Sequence, residues 1–275
     1  MSRTVTKIIS GFIGMATTPM SERQKEKIFA NLSETISRGS FRTVQTPRGT
    51  AKFYNTRGHS ASTEVRSFPK GESETVAWVG SFVKPGDTLW DIGANIGLYS
   101  IYAGLDKNVT VYSFEPSALN FSLLVEHVQL NALDKNVNPL CIALGQETKI
   151  AQLQMRNFSV GHWGNALEQA QNQFESFTPF FSQAIPAFRM DDLCRVMNIK
   201  APDHIKLDVD GIEELILKGG PETLKQVKSL IVEIEGHNLE NFETAIQAPL
   251  NAAGLHEDLS WRNQGSQRNR VFVRK

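Results

Sequence analysis

The sequence predicts an α/β fold: a mostly parallel sheet with helices on both faces, preceded by an N-terminal α/β extension. Three observations carry this expectation. From residue 84 onward, short apolar runs alternate with amphipathic helical stretches, the pattern of consecutive β–α–β units. Residues 88–97 read Thr-Leu-Trp-Asp-Ile-Gly-Ala-Asn-Ile-Gly, an apolar run that stops at an acid and a Gly-containing turn. Residues 109–116 read Val-Thr-Val-Tyr-Ser-Phe-Glu-Pro, a second apolar run that ends in one carboxylate. Strand, Gly turn, helix, strand, acid is the layout of a nucleoside-binding half-sheet, in which the acid takes the ribose hydroxyls.

Residues 1–83 are expected to form the extension: helix, hairpin, helix. Residues 8–16 are mildly apolar behind Arg3 and Lys7, but two glycines interrupt them. No small-residue cleavage pattern follows, so they read as a packing segment or a loose terminus and not as a leader. Residues 21–37 have helical charge patterning, with Ser21 as N-cap and Glu22 in the first turn. Residues 41–54 read as a hairpin around Pro47-Arg48-Gly49. Residues 72–82 form a short helix with Val76, Val79 and Phe82 apolar, and Pro85-Gly86-Asp87 turns the chain into the first core strand.

Residues 84–275 supply the main domain. Core strands are expected at 89–92, 109–114, 137–142, 204–207 and 229–234. Helices are expected at 97–105, 117–132, 190–197, 213–218 and 239–253. Runs 255–259 and 270–273, joined by a polar turn, read as an antiparallel hairpin at one edge. Residues 146–188 break this rhythm, with Phe158, Trp163, Phe174 and Phe180 scattered among polar residues. So long an excursion reads as a lid over a ligand, with a contact between copies of the chain, a homo-oligomer, or plain packing as the alternatives.

Bulk properties exclude several classes. Lys and Arg number 29 against 29 Asp and Glu, and no basic run stands out, so nucleic acid is not an expected partner. No apolar run approaches the roughly 18 residues a bilayer span needs, so no membrane partner is expected either. Cys141 and Cys194 are too few for a disulfide framework. A cytoplasmic protein is expected.

The Gly turn narrows the ligand. A dinucleotide-binding turn reads G-x-G-x-x-G, and its second Gly lets the pyrophosphate press against backbone. Here that place belongs to Asn95, which tolerates the left-handed conformation but fills the space of a diphosphate. Asp91-x-Gly93-x-Asn95-x-Gly97 therefore suits a nucleoside without phosphates that carries a cationic amino-acid tail. S-adenosylmethionine meets that description better than NAD.

These motifs, with Glu115-Pro116, Ile142-Ala143-Leu144-Gly145 and the stretch Ile-Lys-Leu-Asp-Val-Asp-Gly-Ile-Glu at 205–213, resemble the FkbM family of S-adenosylmethionine-dependent methyltransferases. The resemblance covers roughly residues 72–275. Asp210 stands where the family usually has Glu, which keeps the charge and shortens the reach by one methylene. The resemblance implies the Rossmann-like class I methyltransferase fold, a seven-stranded sheet whose last strand is antiparallel, in agreement with the edge hairpin. It also implies a small-molecule partner, a methyl acceptor with a hydroxyl on a sugar or related metabolite.

Residue roles follow from the ends of the strands, beyond which ligands sit in open α/β sheets. Gly93, Asn95 and Gly97 would shape the turn around the methionine part, and Asp91 would hold its ammonium. Glu115 would accept both ribose hydroxyls, and Ala143, with Ile142 and Leu144, would flank the adenine. Asp208 ends the fourth strand and His237 follows the fifth. Both are candidate catalytic bases for the hydroxyl proton. Asp208, Asp210, Glu235 and Asn238 could instead hold a divalent metal that acidifies the acceptor. Lys206, Asp210 and Glu213 have a further reading as a salt-bridged strand-to-helix junction. Two other functions stay open: a non-catalytic module that binds S-adenosylmethionine, and an NAD-linked oxidoreductase, against which Asn95 stands.

The Asn95 reading has a direct test. Millimolar NAD or NADP should leave the melting temperature unchanged, whereas S-adenosylhomocysteine should raise it by linkage. A shift with NAD equal to that with S-adenosylhomocysteine would overturn the donor assignment.

Overall fold

The computed structural model describes residues 2–171, 174–235 and 237–275, and the side chains of residues 2, 3, 237 and 238 lie outside the described set. The chain divides into two units, 1–41 and 42–275. The first holds α1 (Ser2–Thr17) and α2 (Glu22–Gly39). Ser21 starts α2 as expected, its N–H donating to Gln24 Oε1 at 3.0 Å, one half of a capping box.

The hairpin follows as β1 (Phe41–Thr46), all but its first residue in the second unit, and β2 (Gly49–Tyr54), then α3 (His59–Ser67) and α4 (Ser73–Phe82). The Arg48 guanidinium, at the hairpin turn, donates to Val79 O at 2.9 Å and Ala103 O at 3.1 Å. These carbonyls belong to the last turns of α4 and of α5 (Leu98–Gly104). A cation there adds a second donor to carbonyls that backbone N–H groups already reach, at the negative ends of both helices. Val44, Ala51 and Phe53 of the hairpin and Ala61 and Val65 of α3 share one core with Leu89, Val111 and Ile231 of the main sheet.

The sheet begins with β3 (Thr88–Ile92), β4 (Thr110–Phe114) and β5 (Val137–Leu140), with α6 (Ala118–Leu130) between the last two. The excursion follows as β6 (Ala143–Leu144), β7 (Lys149–Met155), β8 (Ala166–Leu167) and β9 (Phe181–Phe188). Next come α7 (Met190–Met197), β10 (His204–Leu207), α8 (Glu213–Lys218), α9 (Pro221–Leu224) and β11 (Ser229–Glu233). The chain ends with α10 (His237–Glu240), α11 (Ala248–Ala252), β12 (Leu255–Glu257) and β13 (Asn269–Arg274).

The main sheet runs β12-β13-β11-β10-β3-β4-β5. Strands β11, β10, β3, β4 and β5 pair in parallel, and β13 is antiparallel to both its neighbours. This is the class I methyltransferase sheet. Period-2 alternation buries both faces: Leu89 and Ile231 enter one core, Trp90, Leu230 and Val232 the other.

Helices α1, α3 and α9 form where the sequence reading expects none, and two further details differ. The third strand stops at Leu140, and Ala143 and Leu144 pair instead with Ala187 and Phe188 of β9. β5 is the edge of the main sheet, so β9 offers the next residues a ladder that the sheet cannot. The helix expected over 239–253 is broken into α10, a π-helical turn at Phe242–Gln247 and α11. Pro249 has no N–H and its ring crowds the preceding turn, which favours the wider winding. The C-terminal hairpin forms at one edge as expected, with β12 outermost and β13 beside it.

The excursion is a built element: β6, β9, β7 and β8 make a second sheet, with Leu153, Met155, Ile185 and Ala187 buried against one another. The hairpin is tied to the Gly turn by His127, which is fully buried. Its Nε2 accepts the Tyr54 N–H at 3.0 Å, and its Nδ1 lies 2.7 Å from Ile96 O. These partners assign the proton to Nδ1. Burial pushes the His127 pKa down from 6.5 to about 4.

A depressed histidine stabilises the fold fully above pH 6.5 and loses that contribution as pH falls toward 4. For His127 the loss amounts to about 3 kcal/mol at most. His127→Gln should be less stable than the wild-type protein at pH 7, and the gap in melting temperature between the two should narrow from pH 7 to pH 5. Parallel curves for the two proteins would show that His127 does not titrate this way.

Candidate functional site

Parallel register brings the functional residues out side by side. Ile92 pairs with Phe114 on one side and Leu207 on the other, and Leu207 pairs with Val232. The next residue on each strand is Gly93, Glu115, Asp208 and Glu233. β3 is the switch point, with successive crossovers leaving it in opposite directions, and such a point opens a crevice. A cleft of about 470 Å³ lies there, lined by all four of these residues.

Gly93 is obligatory. Its φ is +81°, and a Cβ would stand 1.8 Å from the backbone oxygen of Asp208. Asn95 adopts φ 49°, lines the cleft and donates its N–H to Glu115 Oε2 at 2.8 Å. Its own Oδ1 is buried without a hydrogen-bond partner. Gly97, at φ +84°, caps α5, and a Cβ there would meet Leu124 Cδ1 at 2.2 Å. Its role is to let α6 pack on the turn.

Glu115 is held by two backbone donors, Asn95 and Ser117, each at 2.8 Å. Each oxygen keeps a lone pair for a further donor. Burial pushes its pKa up to about 7 against the pull of those N–H groups, and the charges of Asp210 and Asp91 add to the rise. Beside it Ile142, Ala143, Leu144 and Leu153 form an apolar wall.

Asp91 lies beneath the turn, fully buried. Ser100 Oγ donates to its Oδ2 at 2.5 Å, and Lys206 Nζ stands 3.7 Å from its Oδ1. Lys206 is itself buried, 2.7 Å from Asp208 Oδ2 and 5.2 Å from the centre of the Tyr99 ring. Burial alone would discharge the ammonium, but Asp208, Asp91 and Glu72 hold its pKa above the usual lysine range.

The far end of the cleft is acidic. Glu64, Glu72, Asp208, Glu233 and Glu235 line it with Arg268. Arg268 lies 3.1 Å from both Glu233 and Glu235 and 4.0 Å from Glu72. Burial and the neighbouring Asp208 charge push Glu233 up to about 10, and its carboxyl hydrogen-bonds Asp208. Burial would raise Asp208 too, but Lys206 outweighs it and holds Asp208 below the usual range. His237 begins α10 just past β11, and its side chain and that of Asn238 lie outside the described residues. Among the described residues, no three His, Cys, Asp or Glu stand in a metal-holding group.

The excursion roofs the cleft through His162, Trp163, Asn165, Leu167 and Phe174. Two side chains hold it there. Asn120 binds Gly161 N–H at 2.7 Å and His162 O at 3.1 Å, and Asp210 accepts the Gly164 N–H at 2.6 Å. Asp210, which departs from the family's Glu, thus anchors the roof. Sequence reasoning missed Glu64, Glu72, Asn120 and Arg268. They come from α3, the turn before α4, α6 and the turn before β13, and no local motif marks them.

The site fits S-adenosylmethionine on three counts: an oriented carboxylate at the β4 end, a turn at Gly93 with no room for a side chain, and the partnerless Asn95 Oδ1. Comparison with known proteins agrees. A family model described as the methyltransferase FkbM domain matches residues 91–262. The hexuronic acid methyltransferase AglP of Haloferax volcanii is 26% identical over 60% of this chain and 63% of its own length. The 31-O-demethyl-FK506 methyltransferase FkbM of Streptomyces tacrolimicus is 44% identical over 15% of this chain and 16% of its own. The chain thus spans under two thirds of these relatives. Among solved structures, a ribosomal protein L11 methylase from Lactobacillus delbrueckii subsp. bulgaricus superposes with a TM-score of 0.42 at 14% identity, over 74% of this chain and 77% of that one.

Ribose hydroxyls would donate to the charged form of Glu115. Affinity for S-adenosylhomocysteine should therefore rise from pH 6 to pH 8, with proton release near pH 7. Glu115→Gln should bind at least about tenfold more weakly, without that slope. Equal affinity of the two proteins by calorimetry would remove Glu115 from the site. In the free protein the sign reverses: the raised value gives stability present below pH 4.5 and lost as pH rises through 7.

Proposed function

The chain belongs to the FkbM family of methyltransferases, and on that premise we propose that it methylates a hydroxyl oxygen of a sugar or related small metabolite. The observation that supports this most is the order along one cleft: the apolar wall, Glu115, Gly93, Asp208, Glu233. S-adenosylmethionine supplies a methyl group on a cationic sulfonium. Ile142 and Ala143 would flank its adenine, Glu115 its ribose, and Asn95 Oδ1 would accept from its amino-acid end. Asp91, fully buried and paired with Lys206, does not line the cleft, so the expected contact with the ammonium is not carried forward. The acids that line the cleft attract a cation.

The acceptor then lies at the β10–β11 end. Transfer forms an oxygen–carbon bond as the sulfur–carbon bond breaks, and the acceptor's proton must leave. Asp208 is suited to take it: Lys206 keeps it ionised, and the protonated Glu233 orients it by a hydrogen bond. His237 is the second candidate base. Trp163 and Phe174, more than half exposed over the cleft, would cover the acceptor. A neutral polyhydroxyl compound suits this end better than a sugar acid, whose carboxylate would face several others while Arg268 is already engaged.

Alignment of donor and acceptor supplies much of such a rate, and loss of a general base typically costs 10²–10⁴-fold. Asp208→Asn should keep its affinity for S-adenosylhomocysteine and lose turnover on that scale. Normal turnover would remove Asp208 from the chemistry. Activity that survives EDTA supports direct proton transfer, whereas loss restored by magnesium would place a metal among Asp208, Glu235 and Asn238.

A further inference from the structure

The first forty-one residues hold two helices whose apolar faces are uncovered. α2 buries no residue. On α1 the exposures are 49% for Val5, 66% for Ile8, 53% for Ile9, 68% for Phe12 and 70% for Met15. At the helical repeat these five fall within an arc of about 120°, with Lys7 on the opposite side. The polar side otherwise takes the Arg3 position, hydroxyls and glycines, and α1 contains no acid. A 16-residue helix that buries Thr17 and no apolar side chain is marginal in water, so this face calls for cover.

Charge selects the occupant. Residues 1–41 hold six Lys or Arg (Arg3, Lys7, Arg23, Lys25, Lys27, Arg38) and three Glu (Glu22, Glu26, Glu34), a net +3. The whole chain is neutral, so the remainder carries −3 and the basic excess is confined to this unit. A second copy of the same unit would bring like charge against it. An anionic lipid surface offers both an apolar layer and compensating charge. Among the described residues no helix is long and apolar enough to cross a membrane, which leaves binding in the interfacial plane.

We propose that α1 lies flat in an anionic membrane surface, with Val5, Ile8, Ile9, Phe12 and Met15 at the acyl boundary and Lys7 among the headgroups. The inference goes beyond the methyl-transfer reading and does not rest on it.

The full chain should be sedimented with phosphatidylcholine vesicles, with and without about one third phosphatidylglycerol. Binding to the anionic vesicles should be at least about tenfold stronger, and should fall in high salt. The double variant Ile8→Glu, Phe12→Glu should lose it, while still gaining thermal stability from S-adenosylhomocysteine, which shows that the second unit is folded. Lys7→Glu should weaken binding several-fold. No sedimentation with anionic vesicles, or undiminished binding by the double variant, would overturn the proposal. So would a chain that ignores vesicles and is a dimer by light scattering, dissociated by the same double variant, which would assign the face to a second copy.

Discussion

A lysine ammonium buried between two strand-ending carboxylates organises the centre of this molecule. Lys206 sits on β10 directly across from Asp91 on β3 and reaches 2.7 Å to Asp208 two residues on. Taking one cation and two carboxylates out of water is expensive, and the expense is offset only while all three stay in place. The strands are therefore pinned in one register at the switch point, where their ends must open the crevice. The same contact keeps Asp208 ionised at the cleft wall and keeps Asp91 out of it. Ser100 and Ser113 extend the network by two hydroxyl bonds of 2.5 and 2.7 Å.

From that centre the electrostatics of the cleft divide into two ends. At the β4 end Glu115 is fixed by backbone donors, and its raised pKa marks a carboxylate shielded from water, with no cation beside it among the described residues. At the β10–β11 end carboxylates crowd together and share two cations, Arg268 and the buried Lys206. Burial and the Asp208 charge raise the Glu233 pKa, which relieves part of the repulsion there. One end thus offers a fixed carboxylate to hydrogen-bond donors, and the other gathers carboxylates around two cations.

The roof depends on the same economy of contacts. Asn120 and Asp210, on different elements, each hold a backbone N–H of one short segment at 161–164. Gly161 must be glycine, because its φ is +76° and a Cβ would approach Ala61 Cα to 2.5 Å. α3 therefore supports the excursion from behind while α6 and the β10 end grip it from below. Residues far apart in the chain meet at one loop, and that loop carries His162 and Trp163 into the cleft.

Much of this was legible in the sequence because it is local. The apolar runs, the Gly93–Gly97 turn and the acids that end strands follow from periodicity and from the steric needs of a left-handed turn. They determined the fold class, the donor type and the positions of Glu115 and Asp208. What only the tertiary structure decided is which charges face one another. Asp91 and Glu115 look alike as strand-end acids, yet one is buried under the turn and the other faces the cleft. Glu72 and Arg268 are 196 positions apart and meet only because β13 inserts between β12 and β11. Pairing across a sheet depends on strand order, and strand order leaves no mark in the spacing of residues along the chain.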